Sequence, residues 1–140
     1  MKKIIIGLLF SLVVVSACKK EEKKKEDTPK TKEELLCQMW DIETYTLDGF
    51  GFAWLPRLYH WKFKSDGTVE WYKVETGNYY RSTSWAWAED KEALDIELIV
   101  DKSFRSESII ARVKIHILTE REMILEPGNS DHKLEMSFKR

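Results

Sequence analysis

Cysteine, proline and glycine are scarce in this chain: two, three and six respectively in 140 residues. So few cysteines exclude a disulfide-stapled scaffold, and so little proline and glycine excludes collagen-like and Pro/Gly-rich disordered classes. Charge of one sign is also missing. With 23 Lys+Arg against 24 Asp+Glu the formal net charge is -1, which argues against a nucleic-acid partner held by bulk charge. No apolar run reaches the roughly 20 residues that a membrane-spanning helix needs. There is no Gly-rich phosphate loop, no His-Glu-x-x-His and no Gly-x-Ser-x-Gly. The three histidines, His60, His116 and His132, are isolated, and the carboxylates are scattered over strand exteriors and turns. The expectation is therefore a protein that is not an enzyme and holds neither metal nor cofactor. What is abundant is aromatic: six Trp, five Tyr and six Phe. The length allows one domain of ordinary size.

The N-terminus has an order of its own. Met1-Lys2-Lys3 is basic, and residues 4–15 are apolar apart from Gly7 and Ser11. Basic, apolar and then small residues are the order of a secretory signal peptide, here 1–17. Val15-Ser16-Ala17-Cys18 resembles a bacterial lipobox, with valine where leucine is usual. That resemblance implies acylation (palmitate or a similar chain) of Cys18 as the first mature residue, and hence a membrane partner through a lipid anchor. Removal of 1–17 would leave 21 basic against 24 acidic side chains, or -3. Residues 18–31 are a mixed-sign charge run with nothing apolar beyond Cys18, a solvated flexible tether. Its opening, Cys18-Lys19-Lys20-Glu21-Glu22, resembles the signal that sends Bacteroidetes-type lipoproteins to the outer cell surface. An outer-membrane location, exposed on the cell surface, is the resulting expectation. Cys37 would then be the one remaining thiol, and behind Leu35-Leu36 it reads as a small apolar packing residue.

Beyond the tether, Thr31-Lys32-Glu33-Glu34 has capping-box spacing and predicts a short helix over 32–38. From Met39 the pattern alternates and predicts eight strands: 39–47, 58–64, 68–75, 83–89, 93–100, 108–118, 122–126 and 133–139. One face of each is apolar, as in Tyr59/Trp61/Phe63, Val69/Trp71, Trp85/Trp87 and Leu94/Ile96/Leu98. The other carries residues such as Lys62, Glu70, Asp95 and Arg112. The expected fold is all-β: an eight-stranded antiparallel up-and-down barrel over 32–140, with a two-sheet sandwich as the rival. Connections 48–57, 76–82, 101–107 and 127–132 are long, and 65–67, 90–92 and 119–121 are short. In a meander these sets lie at opposite ends, so the long-loop mouth should face away from the helix and tether.

Leu35-Leu36-Cys37-Gln38-Met39-Trp40, Phe63-Lys64-Ser65-Asp66-Gly67-Thr68, Trp85-Ala86-Trp87, Leu94-Asp95-Ile96 and Leu118-Thr119-Glu120 together resemble the lipocalin-like domains of Bacteroidetes lipoproteins. Gln38 departs from the glycine common two residues before the first tryptophan. The resemblance implies an eight-stranded calyx closed below by a short helix, and little about chemistry. It also implies a cation–π closure between Trp40 and Lys139 or Arg140. The inward phase makes Tyr59, Trp61, Trp71 and Trp85 a candidate apolar wall, with Lys73 as polar anchor near the mouth and Trp54 as lid. Such a set suits a small hydrophobic or amphipathic ligand. A barrel filled by those same aromatics is the competing expectation. In that case the loop residues Phe50, Phe52, Trp54, Leu55, Tyr79, Tyr80, Arg81, Phe104 and Arg105 would bind a protein or glycan partner.

Overall fold

Alternating apolar and polar side chains satisfy a strand only if its apolar face meets another sheet face. In the computed structural model, which describes residues 28–140, the strands solve this by pairing in a ring. The expected signal peptide, the expected acylation of Cys18 and most of the expected tether lie outside the described residues. The order is α1 (Lys32–Leu36), β1 (Met39–Leu47), β2 (Phe50–Gly51), α2 (Leu55–Leu58), β3 (Tyr59–Phe63), β4 (Thr68–Lys73) and β5 (Tyr79–Ala88), then β6 (Ala93–Lys102), β7 (Arg105–Leu118), β8 (Glu122–Pro127) and β9 (Leu134–Lys139). The fold is all-β and antiparallel. Neighbours pair in the order β2-β1-β3-β4-β5-β6-β7-β8-β9, and β1 also pairs with β9, so the ladder returns on itself.

Among the described residues there are nine strands: eight form the ring and one more is added to it. The additional one, β2, is two residues long and folds back on Thr46 and Leu47 inside the first long connection, where α2 also forms. Two other expected loops are shorter than the sequence suggests. β5 begins at Tyr79, not 83, and the β6–β7 ladder runs out to Lys102↔Arg105, leaving only Ser103-Phe104 as the turn. Polar pairs extend that ladder: Lys102 Nζ reaches Glu107 Oε2 at 2.5 Å, and Ser106 Oγ donates to Asp101 Oδ1 at 2.6 Å. Apolar alternation cannot register such pairs, which is why the stretch reads as loop.

The helix forms as its capping box predicts. Glu34 N donates to Thr31 Oγ1 at 3.2 Å, and Thr31 N donates back to Glu34 Oε2 at 2.8 Å. Glu34's carboxyl is correspondingly held below the usual range by the hydrogen bond from the Thr31 backbone. Gly67 takes the left-handed conformation (φ +85°) that the β3–β4 turn requires. The closure at this end differs from expectation. Among the described residues no cation lies over Trp40. Trp40 is fully buried and its Nε1 donates to the Leu36 carbonyl at 3.0 Å. Arg140 instead donates to Gln38 Oε1 at 2.7 Å, and Lys139 pairs with Glu43. A buried indole N–H needs an acceptor, and the Leu36 carbonyl at the end of α1 supplies one while also accepting from Gln38 N at 2.8 Å.

Above this closure the interior is packed solid. Trp61 contacts Phe63, Trp71 and Phe138, with ring centroids 6.1, 4.7 and 5.8 Å away. Leu94, Ile96, Leu98, Val113, Met123, Leu125, Leu134 and Met136 complete the core. Cys37 packs against its edge, and burial raises its thiol pKa, which fits a packing role. The connection after β8 is clamped to β7: Gly128 N donates to the Arg112 carbonyl at 2.8 Å, and Arg112 N donates to Ser130 Oγ at 3.0 Å. A Cβ on Gly128 would sit 2.7 Å from the Arg112 carbonyl oxygen. Gly128→Ala should therefore cost about 1–3 kcal/mol by overpacking. Gly51→Ala, whose Cβ would meet nothing within 4 Å, should stay within about 0.5 kcal/mol. Urea unfolding of the two variants side by side checks this.

Candidate functional site

The ring is not evenly laddered. β5 and β6 pair only from Trp85↔Ile96 to Ala88↔Ala93. One step further, where Ser84 would meet Glu97, the side chain of Glu97 takes over: Ser84 N and Oγ donate to its Oε2 at 3.0 and 2.8 Å. Ser108 Oγ donates to Oε1 at 2.6 Å, and these hydroxyl bonds hold the Glu97 carboxyl below its ordinary pKa. Beyond that substitution the upper halves of β5 and β6 have no ladder between them. Between them, at the end opposite α1, lies a cavity of about 220 Å³.

Each wall of the cavity comes from a different element. Tyr45 and Leu47 of β1 form one side, and Tyr59 and Trp71 line it from β3 and β4. Tyr80 and Arg81 of β5 stand across from Ile99, Val100 and Asp101 of β6, and the β2–α2 segment adds Phe52, Trp54 and Leu55. The aromatic rings brace one another. Tyr59 stacks on Tyr80 with centroids 5.0 Å apart and meets Trp71 edge-on at 5.6 Å. Phe52 packs edge-on against both Tyr45 and Trp54. Burial raises the hydroxyl pKa of both Tyr45 and Tyr59, so both present neutral O–H groups at ordinary pH.

Arg81 provides the cationic group. It stands directly opposite Trp71 in the β4–β5 register, so the two side chains share a face. Its guanidinium lies 5.5 Å from the Trp71 ring centroid and 4.5 Å from that of Tyr80, and it donates to the Tyr80 hydroxyl at 2.7 Å. It forms no ion pair with any described carboxylate, Asp101 included, whereas Arg112 is held bidentately by Asp95 at 2.7 and 2.9 Å. An Arg stacked on two rings with most of its N–H donors open is oriented to receive an anion.

Of the six residues expected at a site, the structure brings three together here: Tyr59, Trp71 and Trp54. Trp61 and Trp85 are inward as expected, but they lie in the packed core and do not line the cavity. Lys73 is exposed. It keeps register with Tyr59 at the end of β4, and its Nζ stops 5.7 Å from the Tyr80 ring without reaching the cavity lining. Lys73 is the last residue of β4, and the ladder to β5 is irregular there: Trp71 pairs with Arg81 but Tyr72 pairs with Tyr79, so Tyr80 is the extra residue of a bulge. The sequence reading missed Arg81 as the inward cation because it began the strand at 83. The signal was there, since Arg81, Thr83, Trp85 and Trp87 share one two-residue phase. Asp101 carried no such signal; its place depends on the length of the β6–β7 ladder. Comparison with protein-family models and with curated proteins gave no match.

Proposed function

We propose that this chain is a lipid-anchored lipoprotein of a Gram-negative outer membrane, exposed on the cell surface. Its strand ring acts as an eight-stranded, lipocalin-like barrel that binds a small hydrophobic or amphipathic ligand and catalyses no reaction. The observation that carries the binding reading is the aromatic-lined cavity of about 220 Å³ with the unpaired Arg81 guanidinium on its wall. The lower interior is filled, so the ligand occupies the upper end alone. Support for the anchor is the Val15-Ser16-Ala17-Cys18 sequence, and for surface exposure the Lys19-Lys20-Glu21-Glu22 run behind it. α1 and β1 start at the end away from the cavity, so a tether on α1 would hold the cavity facing away from the membrane.

A second reading rests on a separate observation. Phe50, Trp54, Tyr79 and Phe104 are all exposed, and all belong to the connections or strand ends at the cavity end. Such a set also suits a protein or glycan partner. Native mass spectrometry of the protein, released gently from its host envelope, separates the two. A discrete small-molecule adduct is expected under the first reading, and a bare chain mass would transfer the weight to the second. Trp54 is half exposed, packs edge-on against Phe52 and is not part of the buried core, so Trp54→Ala should leave stability within about 0.5 kcal/mol. Under the first reading it should weaken adduct retention about tenfold, equivalent to about 1.4 kcal/mol of lost contact. Titration of wild type and variant with the ligand recovered checks that figure.

A further inference from the structure

Two features of the cavity narrow the ligand further than its being amphipathic. The first is size. At about 220 Å³ the space falls below the roughly 300–1,000 Å³ of sites for drug-sized molecules. Its floor is closed by Trp71, which rests on the fully buried Trp61 at 4.7 Å. An extended acyl chain has nowhere to descend. The walls are flat rings, namely Tyr59, Trp71, Tyr80 and Phe52, which favour a flat occupant that can stack or meet them edge-on.

The second feature is charge. Arg81 presents open N–H donors from β5, and Asp101 belongs to the lining from β6 on the opposite lip, its charge near enough to the Tyr59 hydroxyl to add to the rise that burial causes in that group's pKa. Asp101 Oδ1 accepts from Ser106 Oγ, which holds that carboxylate at the rim. A single carboxylate on the ligand can pair with Arg81. A second anionic group on the same small body would be brought towards Asp101 and repelled.

We propose that the cavity binds a compact aromatic monocarboxylate, its ring against Trp71 and Tyr59 and its carboxylate on Arg81, with Asp101 selecting against dianions. This inference rests on the small-ligand reading above and specifies its chemical class. The test is isothermal titration of the full chain in lipid nanodiscs, with protein-free discs as the blank. The probes are 1-naphthylacetate, its neutral analogue 2-(1-naphthyl)ethanol, naphthalene-1,8-dicarboxylate and octanoate.

Naphthylacetate should bind at least about tenfold more tightly than the neutral alcohol, the factor that one charge-assisted hydrogen bond is worth. It should also bind more tightly than octanoate, which cannot stack, and the dicarboxylate, which Asp101 repels. Arg81→Gln should erase its advantage over the neutral alcohol. Asp101→Asn should raise dicarboxylate affinity by a larger factor than naphthylacetate affinity, because the dianion carries the additional charge that Asp101 repels. Both positions are at the rim, and circular dichroism of each variant verifies folding before titration. Preferred binding of octanoate or of the alcohol would overturn the proposed class while leaving a small-ligand site standing. Equal binding of naphthylacetate by wild type and Arg81→Gln would remove Arg81 as anchor. Absence of heat with all four probes would overturn the class, and a bare chain mass in native mass spectrometry of the same protein would overturn the small-ligand reading as well.

Discussion

Trp61→Ala should destabilise the fold by about 3–5 kcal/mol, the range for deleting a large aromatic from a packed core. Against a total stability of about 5–15 kcal/mol for a domain of this size, that is a fifth or more of what holds the chain folded. The upper part of the range is expected because Trp61 sits at 0% exposure between four other rings: Tyr45, Phe63, Trp71 and Phe138. Rings braced on one another collapse poorly into a void, so the cavity persists. Trp61→Phe provides the contrast. The Trp61 Nε1 is buried without an acceptor, and an unsatisfied donor already costs about 1–3 kcal/mol. Phenylalanine removes that donor together with part of the ring, so its net cost should be less than half that of alanine. Urea unfolding midpoints at constant slope measure both; equal costs for the two variants would contradict the packing argument.

The second large effect belongs to Trp71, which serves both the core and the cavity. One side rests on Trp61 and the other forms the cavity wall beneath Arg81. Trp71→Ala should cost about 3 kcal/mol, the lower end of the aromatic range, since the void joins an existing hollow. It also leaves the buried Thr83 hydroxyl without its bond from Trp71 Nε1, now 3.3 Å. With the floor open, ligand retention should be abolished. Loss of fold and loss of binding are told apart by Trp71→Phe, which keeps a ring on Trp61. That variant should remain folded at ambient temperature and still bind several-fold more weakly, because Arg81 loses the larger indole face. Native mass spectrometry below the unfolding transition reads the binding, and the urea midpoint reads the stability. Full retention of a bound mass in Trp71→Ala would remove Trp71 from the site.

How far the sequence reaches can be judged from particular positions. The capping box of Thr31 and Glu34, the left-handed Gly67 and the inward phase of Trp61, Val69, Trp71, Ile96 and Met136 are all local. Each depends on residues one to four apart, and each is present as read. The all-β antiparallel class follows from the same alternation. The cavity was not legible in that way. Lys73 and Arg81 both carry the inward phase, but Arg81 stands opposite Trp71 in the β4–β5 ladder and lines the cavity, whereas Lys73 ends β4 exposed. The polar ladder from Asp101 to Ser106 places Asp101 on the opposite lip. The interception of Ser84 by Glu97 stops the β5–β6 ladder and leaves room for a ligand. Phase belongs to a single strand and is written in its own residues. Register, bulges and the point at which two strands part belong to pairs distant in the chain. The sequence by itself thus determined which side chains face inward, and tertiary pairing decided which of them fill the core and which line the cavity.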